Sequence, residues 1–179
     1  MKLPPKVQIG KNRLRYPCNY AILSDELAVL GKVSMPNTPP PPFHNADFEE
    51  VEHTADWALR VRGSDLRELL VNAARGMASL MVADLAAVPV DLERQFELEA
   101  IDAESLLVDW LSELAYHAEA DLLIFQRFHL DNVSTTFLRA TVSGGRAPNL
   151  KKHIKAVTYH NLAIVRTARG VSATVVFDV

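Results

Sequence analysis

The residues of this chain best suited to chemistry sit in three short stretches: His53-Thr54-Ala55-Asp56, Lys155-Ala156-Val157-Thr158-Tyr159-His160, and the closing Phe177-Asp178-Val179. Carboxylates are hard oxygen donors. A cation such as Ca²⁺ or Mg²⁺ takes several of them, and Asp56, Asp178 and a terminal carboxylate at Val179 would supply three in a flexible geometry. In the last apolar run Val171, Ala173, Val175 and Phe177 share one face of a strand, which turns Asp178 to the other face, one residue from Val179. More than 120 residues separate Asp56 from Asp178. Spacing alone therefore leaves open whether they meet.

Each of these residues also has a plainer reading. A loop Asp, Thr or His commonly makes turn and cap hydrogen bonds, which would account for His53 to Asp56 without any ligand. His53 otherwise suits a supporting role that orients Asp56. Lys155 could pair with the carboxylates, reach a partner's phosphate, or stand solvated on a strand. Tyr159 and His160 fall on alternate faces, which predicts one in the core and one exposed. His117 and His129 are read as structural, with no partner at an i, i+4 metal-like spacing. Asp109, Glu113 and Glu119 read as the solvated face of a helix, and Glu49, Glu50 and Glu52 as a short acidic run beside the first stretch.

Other chemistries find little support. The chain has no Gly-x-Ser-x-Gly elbow and no phosphate-cradling glycine loop, and Ser143-Gly144-Gly145 reads as a loop turn with no helix behind it. The single cysteine, Cys18, can form neither an internal disulfide nor a Cys-based zinc site, which suits a reducing cytoplasm. No apolar run reaches the roughly 18–20 residues that span a bilayer.

The elements that must position the three stretches follow from periodicity. Phe48–His53 and Trp57–Arg62 alternate as two short strands closed by Gly63. Ser64 offers an N-cap to a helix whose Leu66, Leu69, Leu70, Ala73, Ala74, Met77, Leu80 and Met81 form one stripe. Gln95–Ile101 alternates as a strand with Phe96, Leu98 and Ala100 inward. Asp102 caps a second helix, Glu104–Ala120, with Leu107, Trp110, Leu111, Leu114 and Ala118 on its apolar side. Further strands are expected over 122–130, 133–142, 154–165 and 171–179, with Arg166–Gly170 as a hairpin loop. One-sided helices and one-sided strands make an α+β two-layer sandwich, two helices on a mainly antiparallel or mixed sheet.

With 179 residues, 49% of them hydrophobic, the chain is long enough for one sizeable domain and a tail. Pro36 and Pro39–Pro42 fix φ and remove backbone donors, so 36–46 reads as a linker. It separates a basic, low-order extension (1–35) from the domain (47–179). Met35, just before the linker, is an alternative translation start. Residues 1–46 carry six Lys/Arg against two acids, a net of +4, whereas 47–179 carries 13 Lys/Arg against 20 Asp/Glu, a net of −7. An acidic body repels phosphate backbones and argues against stable nucleic-acid binding by the domain itself. It suits docking on a basic protein, or simply solubility.

The quoted stretches, with Asp102–Leu111 and the aromatic-rich 122–128 segment, resemble the archease family over roughly 48–179. Trp57-Ala58 departs from the small apolar residue and glycine that commonly follow the Asp. The resemblance implies a non-enzymatic, cytoplasmic accessory protein of tRNA splicing and RNA repair. Its partner would be an RtcB-type RNA ligase, whose guanylylation and multiple turnover it promotes. It further implies a divalent metal held by Asp56, Asp178 and the carboxylate of Val179. Calcium is the usual assignment, with Mg²⁺ or Mn²⁺ as alternatives. Lys155 carries the position of a functionally important lysine. The competing readings are a chaperone or modulator of RNA-modifying enzymes, and a free-standing metal-dependent hydrolase.

Overall fold

A computed structural model of the chain describes residues 47–52 and 57–179. The expected extension 1–35, the linker 36–46 with Cys18 upstream of it, and His53 to Asp56 lie outside the described residues.

Strands β1 (Phe48–Glu52) and β2 (Trp57–Gly63) lead into helix α1 (Leu66–Met81). A 3-10 turn, β3 (Leu92–Glu99) and helix α2 (Ala103–Asp121) follow. The chain then runs through β4 (Leu123–Val133), β5 (Phe137–Arg146), β6 (Ala156–Thr158), β7 (Val165–Thr167) and β8 (Gly170–Asp178). All the strand pairs are antiparallel and fall into two sheets. One is ordered β1-β2-β8-β6, with β7 also on β8; the other is β3-β5-β4. The class is the two-layer α+β expected, with the strands divided between two sheets. The stripes of α1 and α2 knit them together: Leu69, Leu70, Ala73 and Met77 of α1 and Leu107, Trp110, Leu111 and Leu114 of α2 share one buried cluster with Leu59, Val175 and Phe177 of one sheet and Leu138, Ala140 and Val142 of the other.

The helix ends show how local sequence sets the elements. The cap of α1 is Asp65 instead of Ser64: its carboxylate accepts the Glu68 N–H at 2.9 Å, while Ser64 donates its own backbone N–H to Glu68 Oε2 at 2.7 Å. An aspartate is the stronger acceptor for the positive end of a helix. The Ser64 bond holds the Glu68 carboxyl below its ordinary range. Asp102 caps α2 as expected, accepting from Ser105 N at 2.7 Å. Inside, Trp110 spends its one polar atom on the Leu70 carbonyl at 3.1 Å, so the largest core side chain is buried without an orphan donor.

Two expectations fail for backbone reasons. Ser143-Gly144-Gly145 is not a turn but the end of β5, paired with β3 and β4. A Cβ on Gly144 would collide with the backbone of Ile124 and Phe125, so the glycine permits strands to approach beside the bulge of β4. The single strand expected over 154–165 is interrupted. After β6 the chain turns, with Thr158 Oγ1 accepting from His160 N at 3.3 Å, Leu162 N donating to Tyr159 O at 3.2 Å and Asn161 at φ 52°. It rejoins the sheet as β7. Because of that turn Tyr159 and His160 are both exposed, instead of one being core. The β7–β8 hairpin forms as expected, closed by Gly170 at φ 129°. Among the described residues no helix is long and apolar enough to cross a membrane.

Candidate functional site

Strand β8 runs through the middle of its sheet, flanked by β2 and, at its C-terminal end, by β6. Phe177 is fully buried and anchors that end. Alternation then turns Asp178 outward, where it is exposed. Phe177 stands opposite Trp57 on one side and Val157 on the other, and Asp178 stands opposite Ala156. Three distant parts of the sequence thus converge on one tip of the sheet: the start of β2, the start of β6 and the end of β8.

Lys155 closes the arrangement. Its backbone N–H donates to Asp178 O at 2.8 Å and its ammonium donates to Val179 O at 2.8 Å. A lysine that could have been solvated is therefore tied twice to the last two residues. Among the described residues the Asp178 carboxylate itself has no hydrogen-bond or ion-pair partner. Lys152 stands on the far side of β2, donating to Glu50 Oε1 at 3.1 Å and lying over the Trp57 ring. Its backbone is set by Met81, whose carbonyl, left open at the end of α1, accepts from Lys151 N at 2.7 Å.

The sequence reading missed a second contributor. Glu119, expected on a solvated helix face, accepts from Ile154 N at 3.0 Å through Oε1 and pairs with His153 Nδ1 at 2.8 Å through Oε2. At the other end of α2, Glu104 accepts from Ile164 N at 3.0 Å. The segment carrying Lys155 to His160 is therefore bracketed by two carboxylates of one helix. The signal lay in charge placement: an acid in the last turn opposes the helix dipole and calls for a specific partner.

His117 has an acidic side chain one turn to either side, each beyond hydrogen-bond distance. Glu113 lies 3.7 Å from Nε2 and Asp121 3.8 Å from Nδ1. They face opposite ring nitrogens and do not converge on a common point. His129 pairs with Asp131 at 3.1 Å on an exposed strand. Among the described residues no group of three or more His, Cys, Asp or Glu side chains is placed to hold a metal ion. Among the described residues the oxygen donors at the tip are the Asp178 carboxylate and the Val179 main-chain oxygen; Asp56, the third residue expected, lies outside the described residues. Those donors are all oxygen and suit a hard divalent cation.

Comparison with known proteins decides the family. The model of the archease protein family (MTH1598/TM1083) matches residues 48–179. The chain belongs to the archease family. The match begins just past the proline-rich segment and includes the whole of both sheets. Among curated relatives, protein archease of Methanosarcina barkeri is 37% identical over 140 residues, covering 74% of this chain and 95% of the relative. That of Archaeoglobus fulgidus is 33% identical over 136 residues, covering 74% and 98%. The solution structure of Methanobacterium thermoautotrophicum protein 1598 superposes with a TM-score of 0.62 at 30% identity, covering 74% of this chain and 98% of that one. The crystal structure of a Thermotoga maritima archease, described as a possible chaperone, shares the fold with a TM-score of 0.51 at 23% identity and covers 73% of this chain and 96% of that one.

Proposed function

We propose that this archease is an accessory protein that activates an RtcB-type RNA ligase, and that its working part is a divalent-cation site at the tip where β2, β6 and β8 meet. The observation that carries the reading is the double attachment of Lys155 to Asp178 and Val179, beside a β2 whose first residue, Trp57, pairs with Phe177. Asp56 is bonded to that first residue. Asp56, Asp178 and the carboxylate of Val179 would hold the cation, Ca²⁺ by preference and Mg²⁺ or Mn²⁺ otherwise, and His53 would orient Asp56. The bound ion would supply a concentrated positive charge for phosphate or carboxylate oxygens of the partner.

The chain's own residues do the rest. Phe177 fixes the end of β8 by burial, Lys155 holds the terminus against β6, and Asp178 projects outward, where a partner's cleft can reach it. The acidic body, net −7 over 47–179, complements a basic RNA-handling surface and speeds encounter with it. The test is guanylylation and multiple-turnover joining by a cognate ligase with GTP and a divalent metal. Three reactions are compared: no addition, this protein, and its Asp178→Ala variant. Stimulation by the wild type and its loss in the folded variant are expected. A cognate ligase indifferent to the wild type sinks the reading. Suppressed aggregation of unrelated proteins would then favour the chaperone alternative.

A further inference from the structure

Resting on that proposed site, we infer that Glu119 is a positioning residue for it: from α2, its carboxylate sets where Lys155, and through Lys155 the end of β8, is held. Three consecutive residues carry the argument. His153 meets Glu119 Oε2 at 2.8 Å, Ile154 gives its N–H to Glu119 Oε1 at 3.0 Å, and Lys155 gives its N–H to Asp178 O and its ammonium to Val179 O, each at 2.8 Å. With Ile154 N pinned, the direction in which Lys155 leaves is restricted to the one that meets β8. Ile154 is itself buried, so its side chain and its N–H are fixed together.

Two further features set Glu119 apart from an ordinary surface acid. It lies in the last turn of α2, where no basic residue balances the negative end of the dipole, so its charge is placed against the local field. Glu104, 15 positions earlier and about 22 Å away along the helix, takes the Ile164 N–H in the same manner. Both captures fall at the borders of the segment that contains Lys155 to His160, and β6 contributes only three residues of its own to the sheet. So short a strand does not hold its position by pairing alone. The helix supplies the missing constraint.

The experiment is amide hydrogen exchange on the full chain for wild type, Glu119→Ala and Glu119→Gln, with ligase stimulation measured on the same samples. In Glu119→Ala the Ile154 and Lys155 amides are expected to exchange about tenfold faster while Val175 and Phe177 keep their protection. Glu119→Gln retains a carbonyl oxygen for Ile154 and is expected to restore Lys155 protection and most of the stimulation. Faster exchange at Ile154 with Lys155 unchanged would overturn the inference, as would a loss of protection throughout β8, which would mark a role in general stability. The exchange result stands without the ligase. A wild type that stimulates nothing refutes the activator reading and leaves the positioning of Lys155 decided on its own evidence.

Discussion

The two sheets of this molecule are built from the same kinds of strand and put to different uses. In β3-β5-β4 the strands run 8 to 11 residues, and their outward side chains pair among themselves, Arg139 with Glu97 at 2.8 Å and His129 with Asp131 at 3.1 Å. Those four charges are answered within the sheet. At the end of the other sheet β6 is three residues long, Asp178 is exposed, and the contacts of Lys155 run to the chain's last residues. One sheet is built of long, fully paired strands with ion pairs on its exposed side and serves as scaffold. The other pairs Arg60 and Arg62 with Glu49 along its length and ends with the exposed Asp178 carboxylate beside the Val179 oxygen.

The contrast can be broken in the scaffold first, where the largest effect is expected. Leu138 is fully buried near the start of β5, the middle strand of its sheet, and Leu138→Ala should cost about 2–5 kcal/mol in urea denaturation. Ligase stimulation per folded molecule should stay unchanged. If activity falls in step with stability, the two sheets are not separable in function. Asp178→Ala is the converse. It should lower ligase stimulation about 100-fold with a melting temperature within about 2 °C of wild type, because an exposed carboxylate without a partner among the described residues contributes little to folding. Gly170→Ala tests the hairpin that delivers β8: at φ 129° a side chain is strained, and a loss of about 1–3 kcal/mol is expected by thermal or chemical denaturation.

Smaller effects sharpen the same picture through pH. Glu68 titrates below its ordinary value because it accepts from Ser64, so it contributes stability above pH 4.5 that is lost as the pH falls through the lowered folded value. Glu68→Gln should flatten the acid limb of a stability-against-pH curve and leave ligase stimulation at neutral pH intact. Asp109 has the opposite sign. Partial burial raises its pKa, so the ionised form works against folding at neutral pH. Asp109→Asn should raise the melting temperature slightly at pH 7 and have no effect at pH 3, where both residues are neutral; an equal shift at both would point to packing instead of charge.

How much of this was legible in the sequence depends on the range of the signal. The stripes of α1 and α2 and the alternation of β3 were readable because their period is local and their burial one-sided. So was the outward turn of Asp178, which follows from Phe177 being core. The break between β6 and β7 was not: Asn161 at φ 52° interrupts a run whose apolar spacing looks continuous. Ser143-Gly144-Gly145 misled in the other direction, since a glycine needed for close strand approach looks the same as one needed for a turn. Glu119 carried only the signal of an acid in the last turn of a helix, and nothing local named its partners, His153 and Ile154, which lie 34 and 35 positions away. The cap of α1 moved by one residue because Ser64 and Asp65 both qualify and only the geometry chooses.

The chain's two tryptophans fall one to each side of the division. Trp110 lies sealed in the core on the buried face of α2, and Trp57 lies at the tip with the Lys152 ammonium against its ring. Indole emission depends on the charge and solvent around it, so the protein carries two optical labels with different addresses. A Trp110→Phe version would take its tryptophan emission from the tip alone, and titrating it with a divalent cation would turn occupancy of the proposed site into a change of colour.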